Sequence, residues 1–128
     1  MDAPVTLVVP ADPRYVHIVR AVATAFAAHL ALPFDAVEDL RLAIGECCNR
    51  LLGVAPEGAR LELRLASDPS SLTARVGLDA RASEWPPTEQ IASLSWSIIQ
   101  GLADRADETL VEGVPELVVA WQLLTEPA

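Results

Sequence analysis

Lysine is absent from the chain: all nine basic residues are arginine. That excludes a phosphate loop built on lysine, a Schiff-base enzyme and a switch worked by lysine acetylation. Nothing in the sequence approaches the run of roughly 20 apolar residues that a membrane-spanning helix needs. The start, Met1-Asp2-Ala3-Pro4, lacks the basic segment of a signal peptide. A soluble, cytoplasmic protein with no membrane partner is therefore expected. Cysteine is scarce, and the two present, Cys47 and Cys48, are adjacent. Neighbouring cysteines bridge only with strain, so both read as reduced, buried small hydrophobes. His17 and His29 have no ligand spacing with the cysteines or with each other, and no metal site is expected. Basic charge is outweighed, leaving a net charge of −9. This argues against nucleic-acid binding, which draws most of its affinity from basic patches. It suits solubility, and equally a field that speeds encounter with a basic partner.

With 128 residues and 52% hydrophobic content, the chain has the size of one domain and enough apolar side chain for a core. Val5-Thr6-Leu7-Val8-Val9 reads as a strand ended by Pro10. Asp12-Pro13 signals a helix start, and Val16, Val19, Val22, Ala23, Phe26, Ala27 and Leu30 recur at helical spacing. Leu32-Pro33-Phe34 breaks that helix. Asp35, with Glu38 three residues on, reads as a capping box opening a second helix. Its apolar stripe is Val37, Leu40, Ile44, Cys47, Cys48 and Leu51. Glu46 falls opposite the stripe, with Asp39 and Arg50 on the same polar face. Gly53 is a stop signal.

Leu61 to Leu65 alternates strictly, and Leu72, Ala74, Val76 and Leu78 alternate again after the turn Ser67-Asp68-Pro69-Ser70, giving a hairpin. A third helix is expected from about Glu89 to Asp104, and a last strand over Leu117–Leu124. The expected order is β-α-α-β-β-α-β. It points to an α+β fold, a two-layer sandwich with helices on one face of a mixed, mostly antiparallel sheet.

The segment Phe34-Asp35-Ala36-Val37-Glu38-Asp39-Leu40-Arg41-Leu42-Ala43-Ile44-Gly45-Glu46 is similar to the N-box helix of anti-sigma serine kinases. These belong to the GHKL, or histidine-kinase-like ATPase, superfamily with its Bergerat-type sandwich. Ser93-Leu94-Ser95-Trp96 and Gly101-Leu102-Ala103-Asp104 fall where that family has Gly-x-Gly-Leu and a helix end. An Arg at the N-box Asn position and Ser-Leu-Ser-Trp most resemble the actinobacterial sigma-F-type anti-sigma branch. The likeness extends over nearly all of residues 1–128, read as a single GHKL domain.

The resemblance implies a nucleotide site, and the motifs depart from it. Glu46 matches the family's general base. Arg50 stands where an Asn helps to hold Mg²⁺, and a guanidinium has no lone pair for a cation. It can bind phosphate itself, or pair with Glu46 one helical turn away and close the pocket. Asp79 matches the adenine-reading Asp, but Arg81 and Ser83 replace the glycines that follow it. Ser93 and Ser95 replace the lid glycines. Plainer readings stand beside these: Glu46 as a solvated helix acid, Asp79 as a turn residue, Ser93 and Ser95 as helix caps, Trp96 and Trp121 as core, Trp85 as a loop anchor. No cofactor is expected, with ATP and Mg²⁺ binding weakly if at all.

Arg20 lies six residues before Phe26, in the setting where family members place an Arg on the surface shared by sigma factor and anti-anti-sigma factor. It falls off the densest apolar stripe and is expected to be available; the plainer reading is a solvated Arg. The resemblance thus implies an anti-sigma factor in transcription regulation, its partners a sigma factor and an anti-anti-sigma (STAS-type) protein, and a homodimer. The alternative is an active protein-serine kinase that phosphorylates the anti-anti-sigma factor with Mg-ATP, Glu46 serving as base.

Overall fold

In the computed structural model, which describes residues 4–87 and 90–123, each alternating segment of the sequence becomes a strand. Strand β1 (Val5–Pro10) leads into a 3-10 turn, Pro13–Tyr15, whose start is capped by Asp12 accepting from the Arg14 N–H at 2.9 Å. Helix α1 (Val16–His29) and helix α2 (Phe34–Leu52) follow, then the hairpin of β2 (Arg60–Ser67) and β3 (Ser71–Leu78). Helix α3 (Gln90–Leu102) crosses to a second hairpin, β4 (Arg105–Val111) and β5 (Val114–Gln122). The sheet order is β1-β2-β3-β5-β4. The expected ends of the third helix at Glu89 and of the last strand at Leu124 lie outside the described residues.

Two expectations need correction. The sheet is antiparallel at every pairing, not mixed. The cause is β4, a strand the alternation did not reveal. A single strand after the α3 crossover would return parallel to β3. The extra strand reverses the chain once more, so that β5 meets β3 antiparallel. β4 escaped notice because it pairs on one side only and carries Arg105, Asp107, Glu108 and Thr109, where a half-buried strand would alternate. Its two-residue loop, Glu112-Gly113, has positive φ at both positions, 52° and 83°, the geometry that suits a tight hairpin.

The second correction concerns the start of α2. The helix begins at Phe34, after an extended Pro33 that supplies no side-chain cap. Asp35 therefore stands inside the first turn, where its charge still suits the helix dipole. Glu38 bonds Arg41 at 2.9 Å, which leaves no capping box.

The core lies between the helices and one sheet face. Leu61, Leu63, Leu65, Leu72, Ala74, Val76, Leu117 and Val119 are buried against Val19, Ala23 and Phe26 of α1, Leu40, Ile44, Cys47, Cys48 and Leu51 of α2, and Ile99 of α3. On the other face, Arg64 and Arg75 are exposed, and Arg75 pairs with Glu116 at 3.0 Å. That division is the one an antiparallel sheet with a single helical layer requires. Among the described residues, no helix is long and apolar enough to cross a membrane.

Candidate functional site

Helix α2 is the middle helix, with α1 on one side and α3 on the other. Its polar face, on which the sequence places Asp39, Glu46 and Arg50, is covered at Arg50 and half-covered at Asp39 and Glu46. Glu46 is half-buried and accepts a hydrogen bond from Ser95 Oγ of α3 at 2.7 Å. One turn on, the Arg50 side chain is only 4% exposed. Its Nη2 donates to Glu108 Oε1 of β4 at 2.7 Å. The guanidinium carbon lies 5.4 Å from the Trp85 ring centroid and 5.2 Å from that of Trp96.

Arg50 is thus neither a solvated helix residue nor turned to Glu46 as its ion-pair partner. It is buried because α3, the segment before it and the edge strand converge on the last turns of α2. A guanidinium suits this place: its flat faces stack on indoles while its edge donates to a carboxylate. Glu108 Oε2 is buried with no hydrogen-bond partner among the described residues, so the carboxylate depends on Arg50. A buried pair of this kind adds little net stability over an apolar replacement, yet losing one partner costs about 3–5 kcal/mol.

The other expected site residues are dispersed. Asp79 continues the end of β3, where its two oxygens accept from the Arg60 N–H at 2.7 Å and Arg60 Nε at 2.8 Å. Those bonds, the backbone one first, hold its carboxyl below the usual carboxylate range. Arg81 turns onto the β4–β5 loop, where a Cβ on Gly113 would stand 3.0 Å from its Cγ. The Ser83 N–H donates to Val54 O at 3.0 Å and ties the segment to the end of α2. Ser93 and Ser95 are the fourth and sixth residues of α3, so neither caps it. Ser93 is exposed and its carbonyl accepts from Ser97 Oγ at 3.3 Å.

Arg20 is half-buried, which its polar helix position did not foretell. Its stem lies across Gly45 of α2: a Cβ there would come within 3.3 Å of Arg20 Cδ and Nη1. Gly45 is small so that this arm can cross the α1–α2 seam. Cys48 lies beneath, its thiol pushed up to about 12 by burial, with the charge of Arg20 opposing the shift. Burial drives the Cys47 thiol higher still. Both cysteines are inert core residues, as expected. Among the described residues, no group of His, Cys, Asp and Glu side chains could hold a metal ion.

Glu108 and the placing of Trp85 and Trp96 about the Arg50 guanidinium escaped the sequence reading. The available signal was an acidic residue at the inward-facing register of β4, opposite Leu117, which becomes legible only once β4 is known to be a strand. Trp121 also has a polar role: its indole N–H donates to Leu102 O at 2.8 Å and closes the end of α3.

Known proteins share much of this sequence. Proteins described as anti-sigma-F factor RsbW, from the CDC 1551 / Oshkosh and H37Rv strains of Mycobacterium tuberculosis, are each 41% identical over 73 residues. The shared stretch is 57% of this chain and 42% of each relative, so it spans less than half of their length. The family described as Histidine kinase-like ATPase domain matches residues 9–109, which include α1, α2, the β2–β3 hairpin and α3. By that match over most of its length, and by a fold of three helices on one face of a sheet, the chain belongs to the histidine kinase-like ATPase domain family.

Proposed function

We propose that the protein is an anti-sigma factor: it sequesters an alternative sigma factor, and an anti-anti-sigma protein of the STAS type releases the sigma factor by competing for an overlapping surface. The likeness to the anti-sigma-F factors supports the class of partner. One observation favours binding over catalysis: the buried Arg50, held by Glu108 and two indoles at the N-box Asn position. Arg20, half-exposed at the α1–α2 seam, is the proposed partner contact. The net charge of −9 suits a basic partner surface and a fast encounter.

The residues at the nucleotide positions do not suit Mg-ATP. A magnesium ion beside Arg50 would meet a buried cation that offers no lone pair. Asp79, the proposed adenine reader, has both oxygens engaged by Arg60. Ser95 at a lid glycine position is committed to Glu46. ATP and Mg²⁺ are therefore proposed to bind weakly or not at all, and release of the sigma factor to need no phosphorylation. The kinase reading draws on the retained Glu46 and Asp79, and it requires Arg50 to leave its pair.

The test is co-purification of a sigma factor with the tagged protein from the native cell, followed by addition of the purified antagonist without nucleotide. Sigma factor released in the absence of ATP is the expected result. Release only with ATP, together with Mg-dependent micromolar binding in calorimetry and phosphate transfer to a serine of the antagonist, would restore the kinase.

A further inference from the structure

We propose that the Arg50 guanidinium is an internal occupant of the α2–α3 site and acts as a latch, closing α3 and the 79–87 segment onto α2 and β4 without any ligand. The inference extends the reading of a degenerate nucleotide site to the state of the region around it.

Its first support is connectivity. One side chain rooted in α2 touches Trp85 of the segment, Trp96 of α3 and Glu108 of β4. It works beside the Ser95 Oγ bond to Glu46 and the burial of Ile99. Among the described residues of α3, only Ser95 and Ile99 are buried, whereas α1 buries Val16, Val19, Ala23, Phe26 and Ala27. The segment is tied at its beginning, by the Ala82 N–H to Gly113 O at 2.9 Å and the Ser83 N–H to Val54 O at 3.0 Å. Trp85 then reaches Arg50.

The second support is chemical fit. A guanidinium can lie over indole rings and donate from its edge to a carboxylate at once. An ammonium is compact, has no faces to stack and is more strongly hydrated. A carboxylate with one oxygen buried on an edge strand is costly to desolvate, and the cation that answers it must stay in place. Closure is thus encoded in the chain, and a nucleotide phosphate would have to pull Arg50 from Glu108 before it could use the same space.

Hydrogen exchange on the full chain tests this, comparing wild type with Arg50→Ala, Arg50→Lys and Glu108→Gln. The latch predicts that exchange of α3 amides rises at least tenfold more than that of α1, β2 and β3 amides in all three variants. Guanidinium chloride at a few millimolar should restore α3 protection in Arg50→Ala, and ethylammonium chloride should not. Mg-ATP should leave wild-type exchange unaltered. Unchanged α3 exchange in the variants, an equal rise across the whole molecule, or extra α3 protection of wild type by Mg-ATP overturns the latch. If Arg50→Ala fails to fold, the exchange of Arg50→Lys and Glu108→Gln decides between the same outcomes. No partner enters this measurement: absence of a sigma factor in co-purification overturns the proposed function alone, and unchanged exchange overturns the latch alone.

Discussion

Toward α1 and the sheet, α2 presents Leu40, Ile44, Cys48 and Leu51, all buried; toward α3 it presents Glu46 and Arg50. The first seam is held by apolar burial, which is proportional to area and indifferent to direction. The second adds to the burial of Ile99 a hydrogen bond, an ion pair and two indole rings close to the guanidinium, each with a required geometry. Apolar seams tolerate exchange among residues of similar size. Polar seams punish the loss of one member and forgive the loss of both.

That asymmetry gives the largest expected effect. Arg50→Met should destabilise the fold by about 3–5 kcal/mol, because Glu108 is left buried without its partner. Arg50→Met with Glu108→Leu should recover to within about 1 kcal/mol of wild type. Urea unfolding of the three proteins measures both, and a double variant as unstable as the single one would erase the distinction between the seams. On the apolar side, Leu40→Ala should cost about 2–5 kcal/mol by leaving a cavity, with no second substitution in α3 able to offset it.

Binding sharpens the comparison further. Arg20→Glu should weaken sigma-factor affinity at least tenfold, about 1.4 kcal/mol, while the melting temperature stays near that of wild type. Wild-type affinity in a titration would remove Arg20 from the interface. Ser95→Ala should cost about 1 kcal/mol, read from the shift of the urea midpoint, since it removes the short bond to Glu46 while α3 keeps Ile99.

The smallest effect is a pH dependence at Asp79. Its folded pKa lies below the ordinary carboxylate value, so its contribution is present above about pH 4 and is lost as pH falls through the folded pKa. Asp79→Asn should lower stability near pH 7, and the gap to wild type should close in acid. Thermal melts at pH 7 and pH 3 compare the two. A gap that does not narrow between pH 7 and pH 3 would mean the carboxylate charge is not what Arg60 recognises.

The apolar seam is legible in the sequence because periodicity reports what a helix buries by hydrophobicity: Leu40, Ile44, Cys47, Cys48 and Leu51 all fall on the stripe that becomes core. The strands β1, β2 and β3 are legible for the same reason, their alternation being set by a sheet with one dry face. Arg50 is not, since a helical wheel assigns every charge to water unless it is told what lies above. Glu108 is hidden twice, within a strand that has no apolar alternation and behind a partner from another element. Arg20 is legible as a residue of α1, but its path across Gly45 depends on how closely two helices approach, which no single-helix pattern contains.

The inward-facing Glu108 has a consequence for β4 itself. With Leu110 half exposed and Arg105, Asp107 and Thr109 turned outward, the strand has little apolar pattern to fix how it slides along β5. A slip by one residue would turn Glu108 out to solvent and strand Arg50 without a counter-charge, because successive strand residues face opposite ways. The ion pair therefore acts as an alignment pin for the edge of the sheet. It makes β4 a poor template for a foreign strand as well, since any intruder that shifts the alignment must first break a buried charge pair.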